Sequence, residues 1–146
     1  YQLMYRLIPK AIFMAIKGEK FPLEGGGVAE KSFMHAYDLA DAILKILNSK
    51  KHGQIYNAGS NKPIKMREIV EVISELMNIK FKDFVKEVPG RSTEDARYWI
   101  DSSKIKSEMN WEPKITLKEG IKDVIKWIKD YKDLLEDEPK KFELKA

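Results

Sequence analysis

Two arginines, Arg91 and Arg97, stand on either side of a charged, turn-like stretch and are the groups in this chain best shaped to hold an anion. A guanidinium fork beside a loop suits a diphosphate; a solvated ion pair with Glu94 or Asp95 is the competing reading. Gly25-Gly26-Gly27 is a second candidate, because consecutive glycines let another group approach the backbone closely. A nucleotide fingerprint, however, needs spaced glycines between a strand and a helix, and here a polar stretch follows, so a freely bending turn accounts for the run without a ligand. His35 and His52 are the only histidines and there is no cysteine, so a metal site would need both histidines plus distant carboxylates; each is read as structural or surface. The lack of cysteine also removes disulfides and thiol nucleophiles and fits a reducing compartment, with the cytoplasm as the expected location.

These groups need a scaffold, and 146 residues at 43% hydrophobic content are enough for one globular domain with a core of its own. The net charge of +4 arises from 27 basic and 23 acidic residues mixed along the chain. Charge that is interleaved does not make the one-sided basic patch that nucleic acid requires, so nucleic acid is not an expected partner. No run of about 18 apolar residues occurs and the first residues lack a signal-peptide pattern, so no membrane span is expected.

The sequence reads as organised around Gln54–Ser60, with Ile55 and Tyr56 as a short buried strand between turn residues. Helical patterns flank it, which is the mark of an α/β layer, yet too few neighbouring strands can be found to complete a sheet. Upstream, Leu3 to Ile16 recur at helical spacing, with a start expected near Pro9 and a stop at Gly18. Phe21–Glu24 reads as extended and Ser32–Ala36 as a short strand, after which Asp38 is expected to cap a helix carrying Leu39, Ile43, Ile46 and Leu47. Downstream, Met66 to Met77 form a second amphipathic pattern, Phe84–Val88 a strand, and Arg97–Ile100 an extended aromatic piece. Asp101–Ser103 opens a short helix closed by Asn110, and Thr116 with Glu119 forms a capping box for the last helix, which carries Leu117, Ile121, Val124, Ile125, Ile128 and Leu135. Residues 1–135 are read as one domain and 136–146 as a charged, frayed tail.

Tyr56-Asn57-Ala58-Gly59, then Asp101-Ser102-Ser103-Lys104-Ile105, then Asn110-Trp111-Glu112-Pro113 ahead of a capped helix together resemble the C-terminal part of the NAD-dependent nucleotide-sugar epimerases and dehydratases. This is the extended short-chain dehydrogenase/reductase family, and the nearest resemblance is to the 4,6-dehydratases. The resemblance implies an α/β fold, a substrate-binding domain whose strand and helices would complete a Rossmann sheet, and an enzyme as the intact parent. In that family an N-terminal Rossmann domain holds NAD and the smaller domain grips a nucleoside diphosphate sugar; homodimers are common. This chain lacks the spaced-glycine NAD fingerprint and the catalytic Tyr-x-x-x-Lys, since none of its six tyrosines has a lysine four places on. It is therefore expected to be an inactive fragment that binds no NAD alone and retains the substrate-gripping half. The alternative is a stand-alone binding or regulatory module.

Matching motifs carry over a set of contacts. Arg6 and Leu7 fall where the family first meets the nucleotide, and Pro22, Leu23 and Glu24 on the segment that lies along the base. Lys31 replaces the arginine of Arg-x-x-x-(Tyr/His)-x-x-Asp, keeping the charge but losing the fork, ahead of His35 and Asp38. Asn61 is the polar residue after the Tyr-Asn-x-Gly strand. The dehydratases' Arg-Pro-Gly-His appears as Val88-Pro89-Gly90-Arg91, so the first arginine is lost and Arg91 is the candidate to take over the diphosphate. Arg97 is a second candidate, better suited to pairing with an acid. Ile55 and Tyr56 would then sit at the edge of the Rossmann sheet with the helices at Leu39–Leu47 and Leu117–Leu135 near it, and the fragment would expose apolar surface and self-associate.

Overall fold

A computed structural model describes residues 2–51, 53–91 and 95–138. Helix α1 (Leu7–Lys17) begins with Arg6 as its extended N-cap residue, two residues earlier than Pro9. Proline is harmless there because a first-turn N–H has no intrahelical acceptor. Gly18, at φ 70°, closes the helix in the left-handed conformation and donates its N–H to the Ala15 carbonyl.

Strand β1 (Phe21–Glu24) follows, then the tight turn Gly25–Gly27, β2 (Glu30–Lys31) and α2 (Ala36–Asn48). Next come β3 (Ile64–Lys65), α3 (Met66–Leu76), the short α4 (Phe81–Phe84), β4 (Val85–Val88) and β5 (Arg97–Tyr98). The chain then forms α5 (Ser103–Met109), α6 (Leu117–Asp130) and α7 (Lys132–Leu135). Strands β1 and β4 run parallel, with Glu24 opposite Val88. In the second sheet β2 is central, antiparallel to β3 and parallel to β5.

The main core lies between α1, α3, α6 and the β1–β4 pair, where Ile12, Leu23, Ile69, Ile73, Ile121 and Ile128 are fully buried. Each such side chain contributes about 1.5–3 kcal/mol on leaving water. A smaller core gathers Ala42 of α2, Ile105 of α5 and Trp111, with Tyr56 and Ala58 packed against it.

Several expectations change. Gln54–Ser60 is not a strand, and Ile55 is 86% exposed. The segment lies along α5 instead: Lys104 donates to the Ile55 carbonyl and the Tyr56 hydroxyl donates to Glu108. A strand needs a neighbouring strand to take its backbone bonds, and the described chain places none beside it. Ser32–Ala36 is likewise not a strand; β2 ends at Lys31. Asp38 does not cap α2. His35 does, its Nδ1 accepting the Tyr37 N–H at 3.2 Å, while Asp38 is buried and accepts backbone N–H bonds from Lys114 at 3.0 Å and Ile115 at 3.1 Å. Phe84 closes α4 rather than opening β4. Helix α6 packs on α1 and α3 in the main core, away from Ile55 and Tyr56. The capping box at Thr116 and Glu119 and the left-handed Asn110 at φ 47° are as the sequence implies. Of the charged tail only residues 136–138 are described, with Lys17 paired to Glu136.

Candidate functional site

The β1–turn–β2 unit is the frame of the site. All three turn glycines have positive φ, 54°, 65° and 70°, a conformation that side chains resist. At Gly27 the fit is also steric, since a Cβ would stand 2.7 Å from the Arg67 backbone nitrogen. Gly25 and Gly90 face each other closely, a Cβ on Gly25 reaching 3.4 Å from the Gly90 Cα. The parallel pairing of β1 and β4 therefore delivers Arg91, the residue after Gly90, to the end of β1.

There its Nε donates to a Glu24 carboxylate oxygen at 2.6 Å. Glu94 and His52 lie outside the described residues, so the first-named acid of the sequence reading is not described and Glu24 is the partner seen. Leu23 points into the core at 2% exposure, which leaves only its backbone at the surface of this strand. Pro22 has no N–H to offer a further strand, which suits the edge position of β1.

A second arginine, Arg67 at the start of α3, escaped the sequence reading. Its Nη1 reaches the Gly26 carbonyl at 3.4 Å and Glu87 of β4 at 2.9 Å, and its guanidinium lies 4.8 Å from the Phe81 ring centre. The Glu87 hydrogen bond is the largest influence raising its pKa. Arg67 braces the turn against β4. No motif marks it; the signal available was an arginine in a helix's first turn, where its charge opposes the helix dipole and needs another reason.

On the second sheet Lys31 stands opposite Ile64 of β3 and Tyr98 of β5. Arg97 pairs with Glu30 at 2.7 Å and lies 5.1 Å from the Trp99 ring centre, so the acid-pairing expectation describes it. Asn61 uses its side-chain oxygen to accept the Ser102 N–H at 3.1 Å, and the Ser102 hydroxyl donates to the Gly59 carbonyl at 2.9 Å. Asp101 in turn is held below the usual carboxylate range by the Ser103 backbone N–H and then the Ser103 hydroxyl. Asn61 is thus a brace between two motif segments. Leu7 packs on the main core, and Arg6 is exposed above Tyr5, 5.3 Å from its ring centre. Among the described residues no hydrogen bond or ion pair joins Arg6 to the other candidates.

The structure thus brings Pro22, Leu23, Glu24, Lys31, Arg91 and Arg97 onto two paired strand systems joined by one glycine turn, and leaves Arg6, Leu7 and Asn61 on neighbouring elements. Lys31 ends β2, the strand that follows that turn, and Arg91 follows Gly90, which faces Gly25, the first residue of the turn. The glycine turn does not fit the pyrophosphate of NAD, because its glycines are consecutive and lead from strand to strand rather than into a helix. Among the described residues no three histidine, cysteine or carboxylate groups are placed to hold a metal, and no helix is long and apolar enough to cross a membrane.

The mixed α/β arrangement is that of extended short-chain dehydratases and epimerases. The chain belongs to the family described as GDP-mannose 4,6 dehydratase, whose model matches residues 1–124. It is 33% identical over 135 residues to the human dTDP-D-glucose 4,6-dehydratase, covering 89% of this chain and 38% of that protein. Among solved structures, dTDP-glucose 4,6-dehydratase from Bacillus anthracis, in complex with NAD, superposes with a TM-score of 0.81 at 33% identity, covering 91% of this chain and 42% of that one. UDP-glucuronic acid 4-epimerase from Bacillus cereus, in complex with UDP-glucuronic acid and NAD, shares the fold at 18% identity with a TM-score of 0.80, covering 88% and 41%. The chain thus spans about two fifths of the length of the relatives it matches.

Proposed function

We propose that this chain is the C-terminal, nucleotide-sugar-gripping portion of an NAD-dependent 4,6-dehydratase or epimerase, with the NAD site and the proton- and hydride-moving groups supplied by the remainder of the polypeptide. The observation that carries this reading is the joining of β1–β4 and β2–β5 by one glycine turn, with Arg91 paired at the end of β1 and Lys31 at the end of β2. A diphosphate carries two or more charges, and two cations on strand pairs joined by one turn, which Arg67 braces against β4, are the groups proposed to hold it. Membership of a dehydratase family and coverage of about two fifths of its relatives supply the rest of the context.

The remainder of the polypeptide also has a surface to meet. Leu39, Ile43 and Leu47 repeat along the outer side of α2 at helical spacing and are exposed, as is Ile55 beside it in the chain order. This apolar stripe is the face proposed to pack against the Rossmann portion.

Titration with dTDP-glucose, UDP-glucose and GDP-mannose tests the site. Losing one charge-assisted contact costs about 1.5–3 kcal/mol, so Arg91→Ala and Lys31→Ala are each expected to weaken binding by about 10- to 100-fold. Binding that neither substitution alters, or no binding of any of the three, overturns the reading.

A further inference from the structure

The carboxylate beside Arg91 has the wrong sign for an anion site. Glu24 accepts the Arg91 Nε–H at 2.6 Å, on the same strand end that would face a diphosphate. Closing the turn does not depend on this pair, because Arg67 already ties the Gly26 carbonyl to Glu87 of β4. Both partners are well exposed, 68% for the arginine side chain and 40% for the glutamate, so the pair is weak and can be displaced. The bond runs through Nε, the inner corner of the fork, and the terminal guanidinium nitrogens have no hydrogen-bond partner among the described residues.

Resting on the reading of this site as a nucleoside diphosphate sugar site, we propose that Glu24 competes with the ligand's phosphates for Arg91. It holds Arg91 in the absence of ligand and must be outcompeted by the phosphates. Breaking the pair costs the same whichever phosphate takes its place, so Glu24 weakens every ligand that engages Arg91 and leaves one that does not reach it unaffected. Glu24 thereby lowers the affinity for ligands held by Arg91.

The test uses UDP and UMP as probes, with Glu24→Gln, Arg91→Ala and the double variant. An exposed ion pair has a strength that corresponds to about a two- to fivefold change in an equilibrium constant. Glu24→Gln is therefore expected to tighten UDP by about two- to fivefold, UMP by no more than that, and to do neither in the Arg91→Ala background. Thermal melts of each variant confirm that the exposed substitutions leave the fold intact. Looser UDP binding on Glu24→Gln, no change, or equal tightening with and without Arg91 each refutes the competition while the site itself stands. If neither the native chain nor Glu24→Gln binds either nucleotide, the site reading falls and this one with it. Binding by Glu24→Gln alone supports the proposal in its strongest form.

Discussion

Removing the Asp38 carboxylate is the sharpest structural test. Asp38 is 5% exposed and accepts two backbone N–H bonds, from Lys114 at 3.0 Å and Ile115 at 3.1 Å. These join the first turn of α2 to the segment that leads into α6, across 76 and 77 positions of sequence. Asp38→Ala leaves both amides without an acceptor. A hydrogen bond to a charged group is worth about 1.5–3 kcal/mol, and a buried donor left alone costs about 1–3 kcal/mol. The site is part-buried, so water can reach one of the two amides on local relaxation, and we expect a loss of about 3 kcal/mol. Asp38→Asn keeps an acceptor oxygen for one amide but sets an NH2 against the other, which is expected to cost about 2 kcal/mol.

Against a total stability on the order of 5–15 kcal/mol this is a large fraction. For a chain of this size it corresponds to a fall in Tm of roughly 6–12 °C. Urea unfolding followed by tryptophan fluorescence measures it directly, since Trp111 lies in the smaller core that α2 and α5 build. An Asp38→Ala variant within about 0.5 kcal/mol of the native chain, the range of ordinary surface substitutions, would refute the argument that Asp38 is a tie rather than a cap.

Three further outcomes follow from the same structure. Gly27→Ala meets the Arg67 backbone nitrogen at 2.7 Å and the Leu23 side chain at 2.9 Å, whereas Gly18→Ala meets nothing within 4 Å, although both have φ near 70°. Gly18→Ala should cost about 1 kcal/mol for its backbone alone and Gly27→Ala clearly more, by chemical denaturation. Stability should fall in acid, because Glu108, held low by the Tyr56 hydroxyl and Lys51, and Glu119, held low by the Thr116 hydroxyl and N–H, have pKa values below the usual range. Depressed carboxylates contribute fully above the unfolded value of about 4.3, and the contribution is lost as pH falls through the lower folded values. Urea midpoints at pH 7, 5 and 3 should hold steady over the first step and drop over the second, and Glu119→Gln should shrink that drop. Finally, Ile43→Glu with Leu47→Glu should leave the melt nearly unchanged and reduce self-association in sedimentation, since both side chains are exposed, Leu47 at 67%.

Local chemistry was legible in the sequence wherever a residue's role is settled by its near neighbours. The Thr116 capping box, the Gly18 stop and the left-handed Asn110 each involve groups within a few positions, and each is present. Asp38 misled because its type and place, just inside a helix start, are those of a cap, while the backbone N–H donors that its carboxylate accepts from lie more than seventy positions away. His35 took the cap through its ring nitrogen, a role that composition does not advertise. In the candidate site, Arg91 could be singled out as a cation by a loop, but its pairing with Glu24 depends on β1 and β4 being parallel neighbours, which no spacing reveals. The same holds for Arg67, whose partners come from the glycine turn, β4, α4 and its own helix.

Ile55 poses the remaining conflict between sequence and structure, and the conflict is informative. Its neighbours favour an extended backbone, and the segment is indeed without helix or turn between Gln54 and Asn57. One side of it is anchored, through the Lys104 bond to the Ile55 carbonyl, the Tyr56 bond to Glu108, and Tyr56 and Ala58 against the smaller core. The other side presents Ile55 at 86% exposure. An isoleucine that exposed forfeits about 1.5–3 kcal/mol of possible burial. The outward leucines and isoleucine of α2 are exposed in the same way. A segment extended, anchored on one side and apolar on the other has the form of a strand whose partners are lacking, and relatives more than twice as long are known to exist. The strand reading and the exposed coil are reconciled if the sheet belongs to the proposed Rossmann portion: joined to it, Ile55 should become protected from solvent and its backbone amide should slow in hydrogen exchange, and an amide that exchanges equally fast in the longer protein would refute this.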